Sequence, residues 1–219
     1  MSLTAAINPI VALMSSRELQ SADQGNYFVA TTPTPGTGII SSGSVQAYTL
    51  TTPYLVLFNN GPFNVYPTFM RTCVSVVDVT ASAATFYTFS YNAGNQVTSG
   101  GTALTINNTN SGSAISSGVT ATVGAITAPG GAGGNKVTSH SKIRSLTVQV
   151  IHDSVTINWG HSSQSLLSTL INNTTTHSDV VFNVAPVVIT PGNSLVMVRW
   201  SSSGTTGVTN EFELGFIAK

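Results

Sequence analysis

Three places in the chain set the residue types of a hydrolytic triad side by side: His152-Asp153, His161-Ser162 and His177-Ser178-Asp179. A serine nucleophile needs a histidine base and a carboxylate to orient that base, and folding rather than adjacency brings the three together. The Gly-x-Ser-x-Gly spacing that exposes a nucleophilic serine on a sharp strand-to-helix turn is absent. A chain this rich in serine produces such neighbours by composition alone. No catalytic residue is therefore assigned, and the chain is expected not to be an enzyme.

The remaining chemistries are no better served. Glycoside hydrolysis needs two carboxylates flanking one bond, and the acids available are Glu18, Asp23, Asp78, Asp153, Asp179, Glu211 and Glu213. Glu211 and Glu213 alternate with Phe212 and Leu214, which reads as the solvated face of a strand. His140, His152, His161 and His177 lack zinc-type spacing, and no acidic loop resembles a calcium site, so no metal or other cofactor is expected. The glycines at 130–134 lack the Gly-Lys-Ser/Thr ending of a phosphate cradle, because Asn135 separates Gly134 from Lys136. Cys73, the single cysteine, sits in the apolar run Thr72-Cys73-Val74-Ser75-Val76-Val77 and reads as a buried small hydrophobe. Tyr27, Tyr48, Tyr66, Tyr87, Tyr91, Trp159 and Trp200 could stack on sugar rings, but most stand among apolar neighbours and read as core or interface anchors. The sequons at Asn107, Asn172 and Asn173 are what an Asn/Thr-rich chain produces by accident.

Charge is scarce. Seven basic and seven acidic residues make up 6% of 219 residues and cancel, against roughly 25% in ordinary soluble domains. No basic stripe is present to neutralise phosphates, so direct nucleic-acid binding is not expected. A surface without net charge favours association, which suggests a place within an assembly. No segment has the 18 or more apolar residues that span a bilayer, and no membrane partner is expected. The first residues lack a basic leader and are broken by Pro9, so a secretory signal is not expected either.

These observations call for strands as the positioning elements. Residues 1–24 form an N-terminal arm or short helix, with Ile10, Leu13, Met14 and Arg17 at helical spacing behind Asn8-Pro9. From there the period is two, and residues 25–219 form a single domain. Strands are expected at 54–58, 69–77 and 85–91, the last leading into a hairpin through Asn92-Ala93-Gly94-Asn95. Short strands follow between 99 and 134, where Pro129 and the glycines after it make a loop. Leu146, Val148 and Val150 on one side of His152-Asp153-Ser154 and Val155, Ile157 and Trp159 on the other predict two paired antiparallel strands. A helical turn is expected at 163–171, and strands at 180–184, 187–189, 195–200 and 212–217, with a tight turn at Pro191-Gly192-Asn193. Eight or more short strands at this spacing predict an all-β fold, an antiparallel two-sheet sandwich.

Several stretches carry a resemblance. They are Gly25-Asn26-Tyr27-Phe28-Val29-Ala30-Thr31-Thr32-Pro33-Thr34-Pro35-Gly36-Thr37, residues 54–71 with their Asn-rich turn and Tyr66-Pro67, and Ser99-Gly100-Gly101-Thr102-Ala103-Leu104. Val123-Gly124-Ala125-Ile126-Thr127-Ala128, Pro191-Gly192-Asn193-Ser194 and Glu211-Phe212-Glu213-Leu214-Gly215 extend it. Together they resemble small structural proteins of tailed bacteriophages, especially marine ones, through strand-and-turn motifs that touch most of the chain.

That resemblance implies a jelly-roll-like sandwich acting as a capsid decoration or cement protein. Such a protein is made in the host cytoplasm, sits on the capsid surface of the virion and binds the major capsid protein or other virion proteins as a homo-oligomer, with a trimer as the expected state. The partner contacts expected on this reading are Ile7, Ile10, Leu13 and Met14 of the arm, which pack either on a neighbour or on their own domain. The alternative is a host-recognition fibre or spike module that binds surface glycan.

Overall fold

The computed structural model describes residues 17–40, 49–76, 83–129, 136–146, 154–159, 179–201 and 209–219, with backbone alone for 76, 83–88, 136–146, 179–180, 182 and 200–201. Among the described residues a short helix, α1 (Arg17–Asp23), precedes the strands. It stops at Gly25, whose φ of 71° suits the left-handed position after a helix end. There the Gly25 amide donates to the Ala22 carbonyl at 2.9 Å and the Asn26 amide to the Ser21 carbonyl at 2.8 Å, which satisfies the last helical carbonyls and turns the chain into the first strand.

Eight strands make the frame: β1 (Tyr27–Thr31), β3 (Leu55–Asn59), β4 (Val65–Val76), β5 (Ala83–Ala93), β9 (Lys136–Leu146), β10 (Ser154–Trp159), β12 (Asn193–Ser201) and β13 (Thr209–Ala218). Taken in chain order they pair first with eighth, second with seventh, third with sixth and fourth with fifth, all antiparallel. A ribbon of this kind rolled on itself is a jelly roll, and the rolling adds two more antiparallel pairs, β4 with β13 and β5 with β12. The frame thus forms two facing sheets, in the orders β10-β4-β13-β1 and β3-β12-β5-β9.

Five further strands extend this frame. β2 (Ile39–Ile40) pairs with the start of β13, and β11 (Asp179–Val184) runs parallel to β10. Between β5 and β9 the chain lays down β6 (Ser99–Ala103), β7 (Thr105–Asn108) and β8 (Val119–Thr127). β8 joins β3 and carries β6 outside it, whereas β7 joins β1 in the opposite sheet. Residues 99–108 therefore serve both sheets, turning from one to the other at the buried Leu104.

The core lies between the sheets and follows the two-residue period. Phe28 and Ala30, Met70, Val155, Ile157 and Trp159, and Phe212, Leu214 and Phe216 face inward from one sheet; Leu55, Leu57, Phe89, Leu195 and Met197 meet them from the other. Phe28 stacks on Phe216 with centroids 5.6 Å apart, and Trp159 meets Phe89 edge-on at the same separation. Trp159 is thus a core side chain, as its apolar neighbours suggested, whereas Tyr27, next to the inward Phe28, is buried on the outer side of its sheet.

The sandwich class, the strand at 54–58 and the inward set Val155, Ile157 and Trp159 are as expected, but several pairings are not. Residues 136–146 and 154–159 are not paired, since β9 lies beside β5 and β10 beside β4, while Val148 and Val150 of the expected partner strand lie outside the described residues. The turn after Tyr91 closes no hairpin either, since β5 sits between β12 and β9 and the next strand joins the far edge of the sheet. Alternation records which face is buried and is silent on which strand lies alongside; in a rolled ribbon only the fourth and fifth strands are consecutive partners. Residues 187–189 contribute a single bridge, Ile189 to Val65, instead of a strand. The tight turn at Pro191-Gly192-Asn193 is present, with the Asn193 amide bonded to the Thr190 carbonyl at 3.2 Å. The arm's Ile10, Leu13 and Met14, and the helical turn expected at 163–171, lie outside the described residues.

Gly215 has a spatial reason to be glycine. A Cβ there would come within 2.4 Å of the Phe69 ring and 2.5 Å of the Tyr27 hydroxyl. Gly215→Ala is therefore expected to cost about 1–3 kcal/mol through overpacking, read from urea unfolding midpoints; an unchanged midpoint would show that this crossing carries no strain.

Candidate functional site

The same alternation that points Phe212 and Leu214 inward points Glu211 and Glu213 outward, and registration of the neighbouring strands turns this into a two-dimensional pattern. Thr31 stands opposite Glu213, Glu213 opposite Arg71, and Arg71 opposite Thr156. In the next row Glu211 stands opposite Cys73 and Cys73 opposite Ser154. A hydroxyl, a carboxylate, a guanidinium and a second hydroxyl thus cross β1, β13, β4 and β10 on the outer face of the seven-stranded sheet.

These side chains line a depression of about 720 Å3 with Thr32 and Pro35 at its margin. The wall is the 32–38 excursion. The Thr32 hydroxyl accepts the Phe212 amide at 2.7 Å, pinning the start of the excursion. The Thr37 amide then donates to the Thr34 carbonyl at 3.1 Å across Pro35-Gly36. Proline followed by a glycine with φ of 79° is the pattern of a type II turn. Gly38 comes down beside Ser75 and Thr209, and β2 resumes pairing with β13 there.

Arg71 and Glu213 form an ion pair, with side chains 56% and 33% exposed. At that exposure the pair is worth under about 1 kcal/mol to folding, so its geometry matters more than its strength. Glu211 makes no ion pair with any described residue. Two residues apart on one strand face, Glu211 and Glu213 have Cα atoms roughly 7 Å apart along the strand. A glycosidase separates its two carboxylates into unlike surroundings, one of them apolar, whereas both of these stand partly exposed beside Arg71 and threonine hydroxyls.

Sequence reading placed Glu211 and Glu213 on a solvated strand face, and the structure does the same. It did not connect them with Arg71, Thr31 or Thr156, because those neighbours are set by strand register. Cys73 needs correcting: it is partly exposed on the outer face of β4 and lines the depression, while Thr72 and Val74 on either side of it are buried. Its apolar neighbours concealed the alternation. His152, Asp153, His161, Ser162, His177 and Ser178 lie outside the described residues, as do Ile7, Ile10, Leu13 and Met14. Asp179 begins β11, and His140 lies on β9 in the other sheet. Among the described residues no three His, Cys, Asp or Glu side chains gather as a metal site, and no helix is long and apolar enough to cross a membrane. Comparison of the chain with models of known protein families, with curated proteins and with solved structures gives no match.

Tyr27 borders this face. Burial raises its phenol above the ordinary value of 10.0; the Thr68 hydroxyl at 2.9 Å opposes the rise, and the charges of Glu18 and Glu213 add to it. The folded phenol then gives up its proton later than the unfolded one, so its contribution is complete below about pH 10 and falls away as the pH climbs toward the folded value. Unfolding midpoints measured from pH 9 to 11.5 are expected to decline above roughly pH 10, and Tyr27→Phe to flatten part of that decline; an identical slope in the variant would exclude Tyr27 as a cause. Arg71→Ala should shift the folding free energy by less than about 1 kcal/mol, and a larger loss in urea titrations would mean that the pair is structural.

Proposed function

We propose that the chain is a non-enzymatic structural component of a virus particle, a capsid decoration or cement protein that binds and stabilises the major capsid lattice. The observation that carries this reading is the rolled pairing of eight strands, first with eighth through fourth with fifth, because jelly rolls recur among viral capsid proteins. Folds host many functions, so the surface has to narrow the choice. A chain with 6% charged residues and no net charge is poorly suited to life as a dispersed monomer. The strand edge at 99–108 adds to this: it contains no charged residue and no proline, the usual guards of an exposed edge.

Many modest, repeated contacts made by symmetric copies would add up through multivalency. The purified chain is expected to sediment as a homo-oligomer, with a trimer as the proposed state. It is also expected to bind capsids of its own virus to saturation and to raise the temperature at which they release their genome. Particles that neither contain the chain by mass spectrometry nor take it up when it is added would overturn the reading.

A further inference from the structure

The depression on the outer face of the seven-stranded sheet is a built feature that assembly alone does not explain. Glu211, Glu213 and Arg71 are three of the fourteen charged residues in the whole chain, and all three line this one surface. Around them stand the hydroxyls of Thr31, Ser154 and Thr156, and the Pro35 turn forms a wall. We propose that this depression is a binding site for neutral saccharide, held by Arg71, Glu211 and Glu213.

The chemistry of the lining selects that class of ligand. Carboxylate and guanidinium are planar and bidentate, one accepting and the other donating, which matches the paired donors and acceptors of neighbouring sugar hydroxyls. The row Thr31, Glu213, Arg71 and Thr156 alternates these functions across four strands. Two carboxylates against one guanidinium leave the surface with a net negative charge, which disfavours phosphate, nucleic acid and acidic polysaccharide. Threonine methyls and the Pro35 ring supply apolar surface for the C–H faces of a sugar. A volume of about 720 Å3 falls within the roughly 300–1,000 Å3 of small-ligand sites. This proposal goes beyond the virion reading and holds whether or not the chain belongs to a particle.

The test is calorimetric titration of the full chain with soluble neutral oligosaccharides of the malto, cello, manno and chito series, and with a heparin oligosaccharide as the anionic probe. At least one neutral series should bind with a single saturable site. Arg71→Ala and Glu211→Gln should each weaken that binding about tenfold or more, the effect of losing one charge-assisted hydrogen bond. Glu18→Gln, on α1 and away from the lining, should leave it unchanged. Unfolding midpoints of the variants separate a lost site from a lost fold. Binding of heparin alone, binding indifferent to Arg71→Ala and Glu211→Gln, or no binding to any of the neutral series would each overturn the proposal. None of these outcomes bears on capsid uptake, which is measured separately.

Discussion

Between β4 and β13 the backbone is registered over ten residue pairs, from Thr209 with Val76 to Ala218 with Val65. Because successive side chains in a strand point to opposite faces, this one register assigns Phe212, Leu214, Phe216 and Met70 to the core and Glu211, Glu213, Arg71 and Cys73 to the outside. A slip of β13 by one residue would turn its own side chains over, burying Glu211 and Glu213 and exposing Phe212, Leu214 and Phe216. Core and depression are therefore two readings of a single constraint.

The ladder also has to accommodate Pro67, which has no amide to donate. It does so with an irregularity: Gly215 pairs with Phe69 and Phe216 with Pro67, so Thr68 is passed over. The displaced Thr68 aims its hydroxyl at Tyr27 at 2.9 Å, while Tyr27 and Phe69 close over Gly215. Proline, bulge, glycine and two aromatic rings form one packed corner. α1 adds to it by setting the Arg17 guanidinium 4.9 Å from the centre of the Tyr66 ring.

How much of this the chain announces depends on distance. The inward set Val155, Ile157 and Trp159 is legible from five consecutive letters, and so is the strand at 54–58, since the period is local. The Arg71–Glu213 pair spans 142 residues and leaves no local trace, and the neighbours of Cys73 masked its outward position. Strand partnership is hidden for the same reason: β9 and β10 follow each other along the chain yet belong to opposite sheets. Arg199 is hidden too. It sits 7% exposed between the sheets, its guanidinium 5.5 Å from the centre of the Tyr54 ring. A desolvated cation over an aromatic face recovers about 2 kcal/mol, a fraction of what its burial costs.

Residues 99–108 give the molecule a property that its two sheets would lack if each ended on its own strand. β6 hydrogen-bonds to one sheet and β7 to the other, with Leu104 locked between them and its amide held by the Ala121 carbonyl at 2.8 Å. Along that flank the layers share a covalent hem. A load that pulls them apart there must shear two hydrogen-bonded ladders at once, whereas a sandwich closed by side chains alone can peel open one contact at a time.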